Sequence, residues 1–432
     1  MFSRSNNGEA SRMISQARRL RVALIASSLR LAGAEKQTFY MARALHRAGA
    51  ETRLFHLGGG GYYEPVLRQS GVPVNQIYTP NKPCPMLARL MGALWQWKPQ
   101  IVLAAQFGDL LYGAPAGRLC HALVLGGIRS DGFYELNAHG RFSRWMVRLA
   151  HGLIANSCRA RQNLVSRGIK REKIAVLPNV IDLRDFDGRS GLSPGISLPS
   201  DRIIAAAVGS LHPCKRFDRF IEALALARRT EPALAGVIAG KDGGAKAELQ
   251  AKANALGFGP RDLTFLGEVG NVPALLARSA LLALTSDYEG FPNVILEAMA
   301  ARLPVISVPA GDAGLIVQHG TTGFVVEPED VRGMAALMVQ LAQSPWMRRS
   351  FGEAGRKRVE QEYDETGLAE RLPALFHGFA SQCRRHALCE LLERGEVAAN
   401  PELRNSKPQV PSPKETPTTR LQSRDFLLKL EV

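Results

Sequence analysis

The sequence has few of the features that mark membrane-spanning, secreted or zinc-binding proteins. No run of about 18 uncharged apolar residues occurs, so we expect no membrane-spanning helix. The six cysteines are scattered and form no CxxC pair, which argues against a zinc knuckle or a disulfide framework. The basic, polar N-terminus lacks the apolar core of a signal peptide. These absences predict a protein of the reducing cytosol.

Acidic residues are fewer than basic residues: the 432 residues include 39 Asp and Glu but 55 Lys and Arg, which gives a formal net charge of +16. Such an excess attracts nucleic acid, anionic lipid or phosphorylated substrates, although a solvated basic surface is the alternative. No nucleic-acid-reading motif with interleaved aromatic residues is present, so we predict no nucleic-acid partner.

The stretch 141–149 (RFSRWMVRL) places Phe142, Trp145 and Met146 among arginines at near-helical spacing. This pattern is typical of a helix at a membrane surface. It is equally typical of an ordinary helix with one buried face.

Two successive series of strand and helix patterns divide the chain. In each, short apolar runs of strand length are separated by helical patterns, as in a parallel sheet covered by helices. The runs are 20–27, 51–57, 101–105, 122–125, 153–156 and 174–177 in the first series, and 203–208, 235–239, 263–265, 281–285 and 304–308 in the second. We therefore predict the α/β class, with two Rossmann-like doubly wound domains facing each other across a cleft.

Segments poor in apolar residues mark the domain boundaries. Residues 188–200 are rich in Gly, Ser and Pro, and residues 400–419 are rich in Pro, Ser and Thr. We predict a disordered N-terminus (1–18), a first domain (19–190), a linker (191–200), a second domain (201–370), a C-terminal helix (371–395) and a disordered tail (396–432).

The segment 286–300 (SDYEGFPNVILEAMA) carries the most specific pattern. Gly290 supplies freedom for a turn after a buried strand, and Pro292 lies where a helix begins without needing its N–H. The first helical amides, such as that of Asn293, would form an anion site together with the helix dipole. Glu289 and Glu297, with seven residues between them, flank this site and suit sugar hydroxyls.

A second loop, 208–218 (VGSLHPCKRFD), also follows a strand and precedes a helix. Gly209 permits close approach of the backbone to a ligand. Lys215 is a point charge that would neutralise a diphosphate leaving group.

Together, these motifs resemble the retaining GT-B glycosyltransferases of family 4. Residues 289–300 match the EGxPxxxxEAMA signature, 209–215 resemble the GRLxxxK segment, and 33–36 (GAEK) resemble the GGAE loop. The resemblance covers about residues 20–370 and is stronger in the second domain. It implies that the second domain holds the donor and the first domain the acceptor. The implied donor-binding residues are Glu297, Gly290, Phe291, Pro292, Asn293, Gly209, Arg216 and Gly33.

The chain departs from the family pattern at three positions. Ser210 stands where the family has an arginine of the diphosphate clamp, so that Lys215 and the adjacent Arg216 would have to serve. Leu315 stands where many members have a glutamate after the GG loop, which here is 304–314.

The third departure lies in the first domain. Many members carry a histidine after the strand that corresponds to 122–127, whereas this chain has IRSD at 128–131. Arg129 and Asp131 thereby become candidate acceptor-site residues. The Asp185-Phe-Asp187 motif resembles a metal-binding DxD, but it falls in the family's interdomain region, so no metal site is expected.

The resemblance implies a retaining, metal-independent hexosyltransferase whose catalytic residues are Glu289, Lys215 and Arg129. The co-substrate would be a nucleotide-diphosphate sugar, with no other cofactor. The acceptor would belong to cell-surface polysaccharide or glycolipid assembly and could be lipid-linked, on the inner face of the membrane. Two alternatives remain, a nucleotide-sugar 2-epimerase and a non-catalytic nucleotide-sugar-binding partner.

Overall fold

The computed structural model describes residues 19–80, 82–193, 195 and 198–394. The two termini predicted to be disordered, 1–18 and 396–432, therefore lie outside the described residues. Residues 194, 196 and 197 of the predicted linker also lie outside them.

The first sheet consists of seven parallel strands in the order β3-β2-β1-β4-β5-β6-β7. Its central strands are buried along nearly their whole length, because helices cover both faces of the sheet. The strands are β1 (Arg21–Ala26), β2 (Glu51–His56), β3 (Val74–Gln76), β4 (Ile101–Ala104), β5 (Leu123–Ile128), β6 (Gly152–Ala155) and β7 (Ile174–Val176).

The second sheet consists of six parallel strands in the order β10-β9-β8-β11-β12-β13. The strands are β8 (Ile203–Val208), β9 (Leu234–Ala239), β10 (Leu263–Gly267), β11 (Leu281–Leu284), β12 (Val305–Ser307) and β13 (Gly323–Val325). Two sheets of this kind confirm the predicted α/β class and the doubly wound architecture of both halves.

Helices connect the strands of each sheet. Those of the first half are α1 (Gly33–Arg47), α2 (Tyr63–Gln69), α3 (Pro83–Trp97), α4 (Leu110–Leu119), α5 (Phe133–Ala138), α6 (Phe142–Leu149), α7 (Cys158–Ser166) and α8 (Leu183–Ser190). Those that follow are α9 (Phe217–Thr230), α10 (Lys246–Ala255), α11 (Val272–Leu276), α12 (Asn293–Ala300), α13 (Ala313–Ile316), α14 (Val331–Gln343), α15 (Pro345–Glu362), α16 (Leu368–Gln382) and α17 (His386–Glu393).

Each of the eleven predicted apolar runs overlaps a strand, but two strands were not among them. These are β3 and β13, which are three residues long and lie at the outer edge of their sheets. The strands β7 and β12 are equally short but lie in apolar runs of four or five residues, whereas β3 (VNQ) contains a single apolar residue and β13 begins at a glycine.

The C-terminal segment returns to the first sheet. The structure has two helices, α16 and α17, where the sequence predicted one over 371–395. A left-handed Arg384 (φ 55°) lies between them. Leu372, Phe376 and Phe379 of α16 are buried in the same core as β1 and α1, and the ring of Phe379 lies over Gly152 of β6. The predicted domain limits stay a prediction. The structure adds that the C-terminal helices pack on the first sheet.

Within the part of the chain that the structure describes, no helix combines the length and the apolar character needed to cross a bilayer.

Candidate active site

The loops that carry the predicted donor residues meet at one edge of the second sheet. Parallel strands end at the same edge, and ligands of such sheets bind there. The loop after β8 contains Gly209 and Lys215, and the loop after β11 contains Glu289 and leads into α12.

Lys215 and Glu289 form the centre of this site. The Lys215 Nζ donates to Glu289 Oε1 at 2.6 Å, and the Ser286 hydroxyl donates to the same oxygen at 2.7 Å. The Lys215 and Glu289 side chains are 25% and 12% exposed, so both reach the cleft from a largely buried position. An ammonium and a carboxylate held side by side can contact the phosphate and the sugar of one ligand, respectively.

Two contacts between loops fix the position of Lys215. The residue ends a short 3₁₀ turn, Pro213–Lys215, whose Cys214 carbonyl accepts the amide of Asp287 at 2.8 Å. The Thr285 hydroxyl donates to the Lys215 carbonyl at 2.9 Å. The predicted lysine and glutamate are therefore held together by backbone contacts as well as by their own ion pair.

Helix α12 begins at Asn293, with Pro292 as its N-cap, one residue after the predicted start at Pro292. A Cβ on Gly290 would lie 2.6 Å from the carbonyl oxygen of Ser130, in the first domain. Only a residue without a side chain allows this approach. Phe291 and Pro292 are buried beneath the turn.

Glu297 projects from α12 toward the first domain. Its Oε1 accepts from Lys36 Nζ of α1 at 3.1 Å, and the two side chains are 19% and 26% exposed. Burial by itself lowers the pKa of Lys36, but the Glu297 carboxylate, together with the nearby Tyr40 and Tyr63, raises the pKa above its ordinary value. Lys36 is therefore a cation that faces the predicted donor-binding residue Glu297 from across the cleft.

Asn293 also contacts the first domain. Its Oδ1 accepts from Asn179 Nδ2 at 2.8 Å, and a Cβ on Gly33 would lie 2.8 Å from its Nδ2. The structure thus places the predicted Gly33 beside Asn293. Asn293 and Glu297 line a narrow cavity between the domains together with Lys36.

Two other predicted donor residues differ in their surroundings. Gly209 lies beside the aliphatic chain of Lys215, since a Cβ there would be 3.7 Å from Lys215 Cε. Arg216 has a left-handed backbone (φ 49°), and its guanidinium donates to Asp218 and Asp287. The two carboxylates hold Arg216 in an acidic cluster, and its contact with a diphosphate stays a prediction.

Arg129 and Asp131 follow β5 in the first domain. The Arg129 Nε donates to the Ala105 carbonyl at 3.0 Å, and burial lowers the pKa of Arg129 to about 10. The Asp131 carboxylate accepts the amide of Tyr134 at 2.8 Å, in the first turn of α5. Both candidates thus have structural partners, and their part in binding an acceptor stays a prediction.

The structure adds Asp109 and Lys36 to the polar groups of the first domain. Asp109 is 1% exposed and accepts the amides of Ser27 and Gln106, both at 3.0 Å. Burial raises the pKa of Asp109 to about 6. Lys36 belongs to the GAEK loop noted in the sequence, but its partner in the other domain could not be read from that motif.

The Asp185-Phe-Asp187 motif lies on α8, away from these loops. Both carboxylate oxygens of Asp187 accept from Arg356, at 2.6 and 2.7 Å. This bidentate ion pair ties α8 to α15 and gives Asp187 a structural role.

Two family models match consecutive parts of the chain. Residues 31–185 match the model described as Glycosyltransferase Family 4, and residues 192–358 match the one described as Glycosyl transferases group 1. The first match ends within α8, and the second begins between α8 and β8.

Curated proteins match shorter parts. An N-acetyl-alpha-D-glucosaminyl L-malate synthase of Bacillus anthracis is 34% identical over 26% of this chain and 30% of its own. A D-inositol 3-phosphate glycosyltransferase of Streptomyces avermitilis is 29% identical over 50% of this chain and 49% of its own. The matches thus span half or less of these relatives' length.

Solved structures share the whole fold. Anabaena HepE, solved with UDP, is 21% identical with a TM-score of 0.71, over 83% of this chain and 99% of its own. The same protein has also been solved with UDP-glucose. With one family model matching each half in order, and with this two-domain fold, the chain belongs to the GT-B glycosyltransferases of group 1.

Proposed function

We propose that the protein transfers a hexosyl group from a nucleoside-diphosphate sugar to an acceptor hydroxyl, with retained anomeric configuration and without a metal ion. The observation that carries this proposal is the pairing of Lys215 with Glu289 beside the N-terminus of α12. A cation and free helical amides suit a diphosphate, whereas the carboxylates of Glu289 and Glu297 suit sugar and ribose hydroxyls.

In the proposed reaction, the bond between the sugar C1 and the diphosphate oxygen breaks. Lys215 and the amides of the first turn of α12 stabilise the negative charge on the leaving diphosphate. The acceptor oxygen then forms a bond to C1 on the same face, and its proton passes to the departing phosphate oxygen. The positive charge needed by the leaving group comes from the protein itself.

The relatives support a nucleotide donor in this cleft. HepE, which shares the fold, binds UDP and UDP-glucose according to its solved complexes. In the structure of this protein, the carboxylate of Glu297, which we propose holds the ribose, forms an ion pair with Lys36. Binding of the donor would therefore replace this ion pair, which leaves the Lys36 ammonium free beside the ligand.

A binding experiment tests the donor site directly. Titration with UDP, GDP and ADP, followed by their sugar derivatives, is expected to find at least one ligand for the wild type. Glu297→Ala is expected to weaken that ligand about 10- to 100-fold, because hydrogen bonds to a charged group are lost. Isothermal calorimetry gives the dissociation constants.

Two control variants make the result specific. Glu353→Ala removes an exposed glutamate of α15 and is expected to change nothing. Lys36→Met is expected to bind at least as tightly as the wild type, because Glu297 is then free for the ribose. A wild type that binds no nucleotide, or a Glu297→Ala protein that binds as well as the wild type, would disprove the donor site.

Product analysis separates transfer from the two alternatives. An epimerase would convert the donor sugar in the absence of any acceptor, whereas a non-catalytic partner would bind donor and release no nucleoside diphosphate. A hexosyltransferase releases the diphosphate in proportion to the glycosylated acceptor, and the anomeric coupling of the product by NMR reports retention.

We further propose that the acceptor is bound to an anionic membrane surface, with the protein peripheral on its inner face. Helix α6 supports this: it buries Ser143 and Met146 but leaves Phe142 and Trp145 55% and 41% exposed. The neighbouring residues Arg141, Arg144 and Arg148 are also exposed. Aromatic side chains and cations on one exposed helix match a negatively charged lipid interface.

Vesicle binding tests this surface. The double variant Arg144→Glu/Trp145→Ala is expected to bind vesicles of anionic and neutral phospholipid about fivefold or more weakly than the wild type, since each arginine near such a surface contributes about 1 kcal/mol. The matched control is Arg349→Glu/Trp346→Ala, which changes the same residue types at exposed positions of α15. Equal losses in both variants, or none in either, would contradict a specific surface on α6.

A further inference from the structure

Asp312 lies in the loop between β12 and α13, next to a glycine that packs on the turn carrying Glu289. The preceding Gly311 has a φ of 58°, and a Cβ on it would lie 2.5 Å from the carbonyl oxygens of Glu289 and Gly290. The loop therefore packs against the turn that carries the predicted sugar ligand. Any shift of Asp312 would be transmitted to Glu289 through this contact.

The Asp312 carboxylate is bound by the opposite domain. Its Oδ2 accepts the amide of Cys158 at 2.7 Å, and its Oδ1 accepts the amide of Arg159 at 3.0 Å. These are the first amides of α7, which have no acceptor within their own helix. The hydroxyl of Ser157 accepts only the next free amide, that of Ala160.

Among the residues that the structure describes, the Asp312 side chain accepts hydrogen bonds from no group of its own domain. The residue is nevertheless only 5% exposed. Closing the domains desolvates the carboxylate, which raises its pKa, while the two amides and the charges of Arg159 and Arg161 act in the opposite direction. The stabilisation from Asp312 thus exists only when the two domains are together.

The residue type is not dictated by the loop. A glycine at this position would leave the amides of Cys158 and Arg159 without a carboxylate acceptor. The aspartate therefore adds an interdomain contact to a loop that does not need it for its own fold.

We propose that Asp312 is a positioning residue that joins domain closure to the arrangement of the donor site. By capping α7 across the cleft, it stabilises the closed form, and through Gly311 it holds the Glu289 turn in place. This inference rests on the proposed function for its kinetic consequence, but the closure that it describes is independent of turnover.

The experiment compares wild type, Asp312→Ala, Asp312→Asn and Asp330→Ala. Asp330 is the matched control, because its carboxylate accepts the amide of Gly333 and caps α14 within one domain. Small-angle X-ray scattering without ligand measures the radius of gyration, and steady-state kinetics with the donor found above measure KM and kcat.

Asp312→Ala is expected to have a larger radius of gyration than the wild type and a donor KM about tenfold higher, the size of effect measured for lost helix caps. Asp312→Asn keeps one acceptor oxygen and is expected to raise KM only about threefold. Asp330→Ala is expected to lower the melting temperature while leaving the radius of gyration and KM unchanged.

Each other outcome overturns the inference. An unchanged radius of gyration and KM in Asp312→Ala would show that the contact does not stabilise closure. A higher KM with no change in scattering would show that Asp312 acts on the donor directly. If Asp312→Ala fails to fold, Asp312→Asn decides by the same two measurements. A wild type that binds no donor would defeat the proposed function, yet the scattering comparison would still decide the closure contact.

Discussion

Replacing Lys215 by alanine is expected to lower kcat by about 100- to 1000-fold, the range found when a preorganised group that stabilises developing charge is removed. The reason is that Lys215 supplies the cation beside Glu289. The second cation of the family's diphosphate clamp, an arginine, is replaced by Ser210 in this chain. The donor KM should change far less than kcat, since the charge on the leaving group grows only in the transition state. Initial rates of diphosphate release at varied donor concentration separate the two constants.

The matched control for this prediction is Lys252→Ala. Lys252 is likewise a partly exposed lysine of the same domain that pairs with a glutamate, Glu222, but it lies on α10, away from the cleft. Its loss is expected to leave kcat within the error of the assay. A Lys215→Ala enzyme with wild-type kcat would mean that another group stabilises the leaving diphosphate. A fall in kcat for both variants would indicate a general effect of lost ion pairs.

Replacing Phe379 by alanine is expected to destabilise the first domain by about 3–5 kcal/mol, as for other large aromatic side chains in a core. Phe379 is 3% exposed and its ring covers Gly152 of β6, although it follows the second domain in the chain. Hydrogen exchange is the suitable measurement, because it reports the two domains separately in a protein that need not unfold in one step. The amides of β1 and β6 should lose protection, whereas those of β8 and β11 should keep it.

Phe351→Ala provides the reciprocal control. Phe351 is 9% exposed and packs on Phe324 of β13 in the second sheet. Its removal should reduce protection in the second domain and leave the first unaffected. If Phe379→Ala instead lowered the protection of β8 and β11 and left that of β1 and β6 unchanged, the assignment of α16 to the first core would be wrong.

The sequence was informative wherever the chemistry lay within one short segment. Glu289, Gly290 and Glu297 belong to a single turn and helix, and their relation follows from local geometry. Lys215 was predicted from a second segment in which a loop likewise follows a strand and precedes a helix. Parallel strands then bring both segments to one edge of the sheet, as the topology confirms.

The contacts that the sequence could not provide join residues far apart in the chain. Lys36 meets Glu297 across 261 positions, and Asp312 meets Cys158 across 154. These pairs depend on how two separately folded sheets face each other, which no local pattern encodes. The partners of Arg216 could not be predicted either. Its left-handed backbone conformation accompanies hydrogen bonds from the guanidinium to Asp218 and Asp287.

The return of α16 and α17 to the first sheet has a consequence for synthesis on the ribosome. Leu372 and Phe376 are fully buried in the first core, yet they are translated after the entire second sheet. Domains generally fold as they emerge from the ribosome, beginning at the N-terminus. Here the core of the first domain stays incomplete, with the apolar surface over Gly152 uncovered, until the second domain has been synthesised. The nascent chain is therefore expected to expose a chaperone-binding surface throughout translation of its second half.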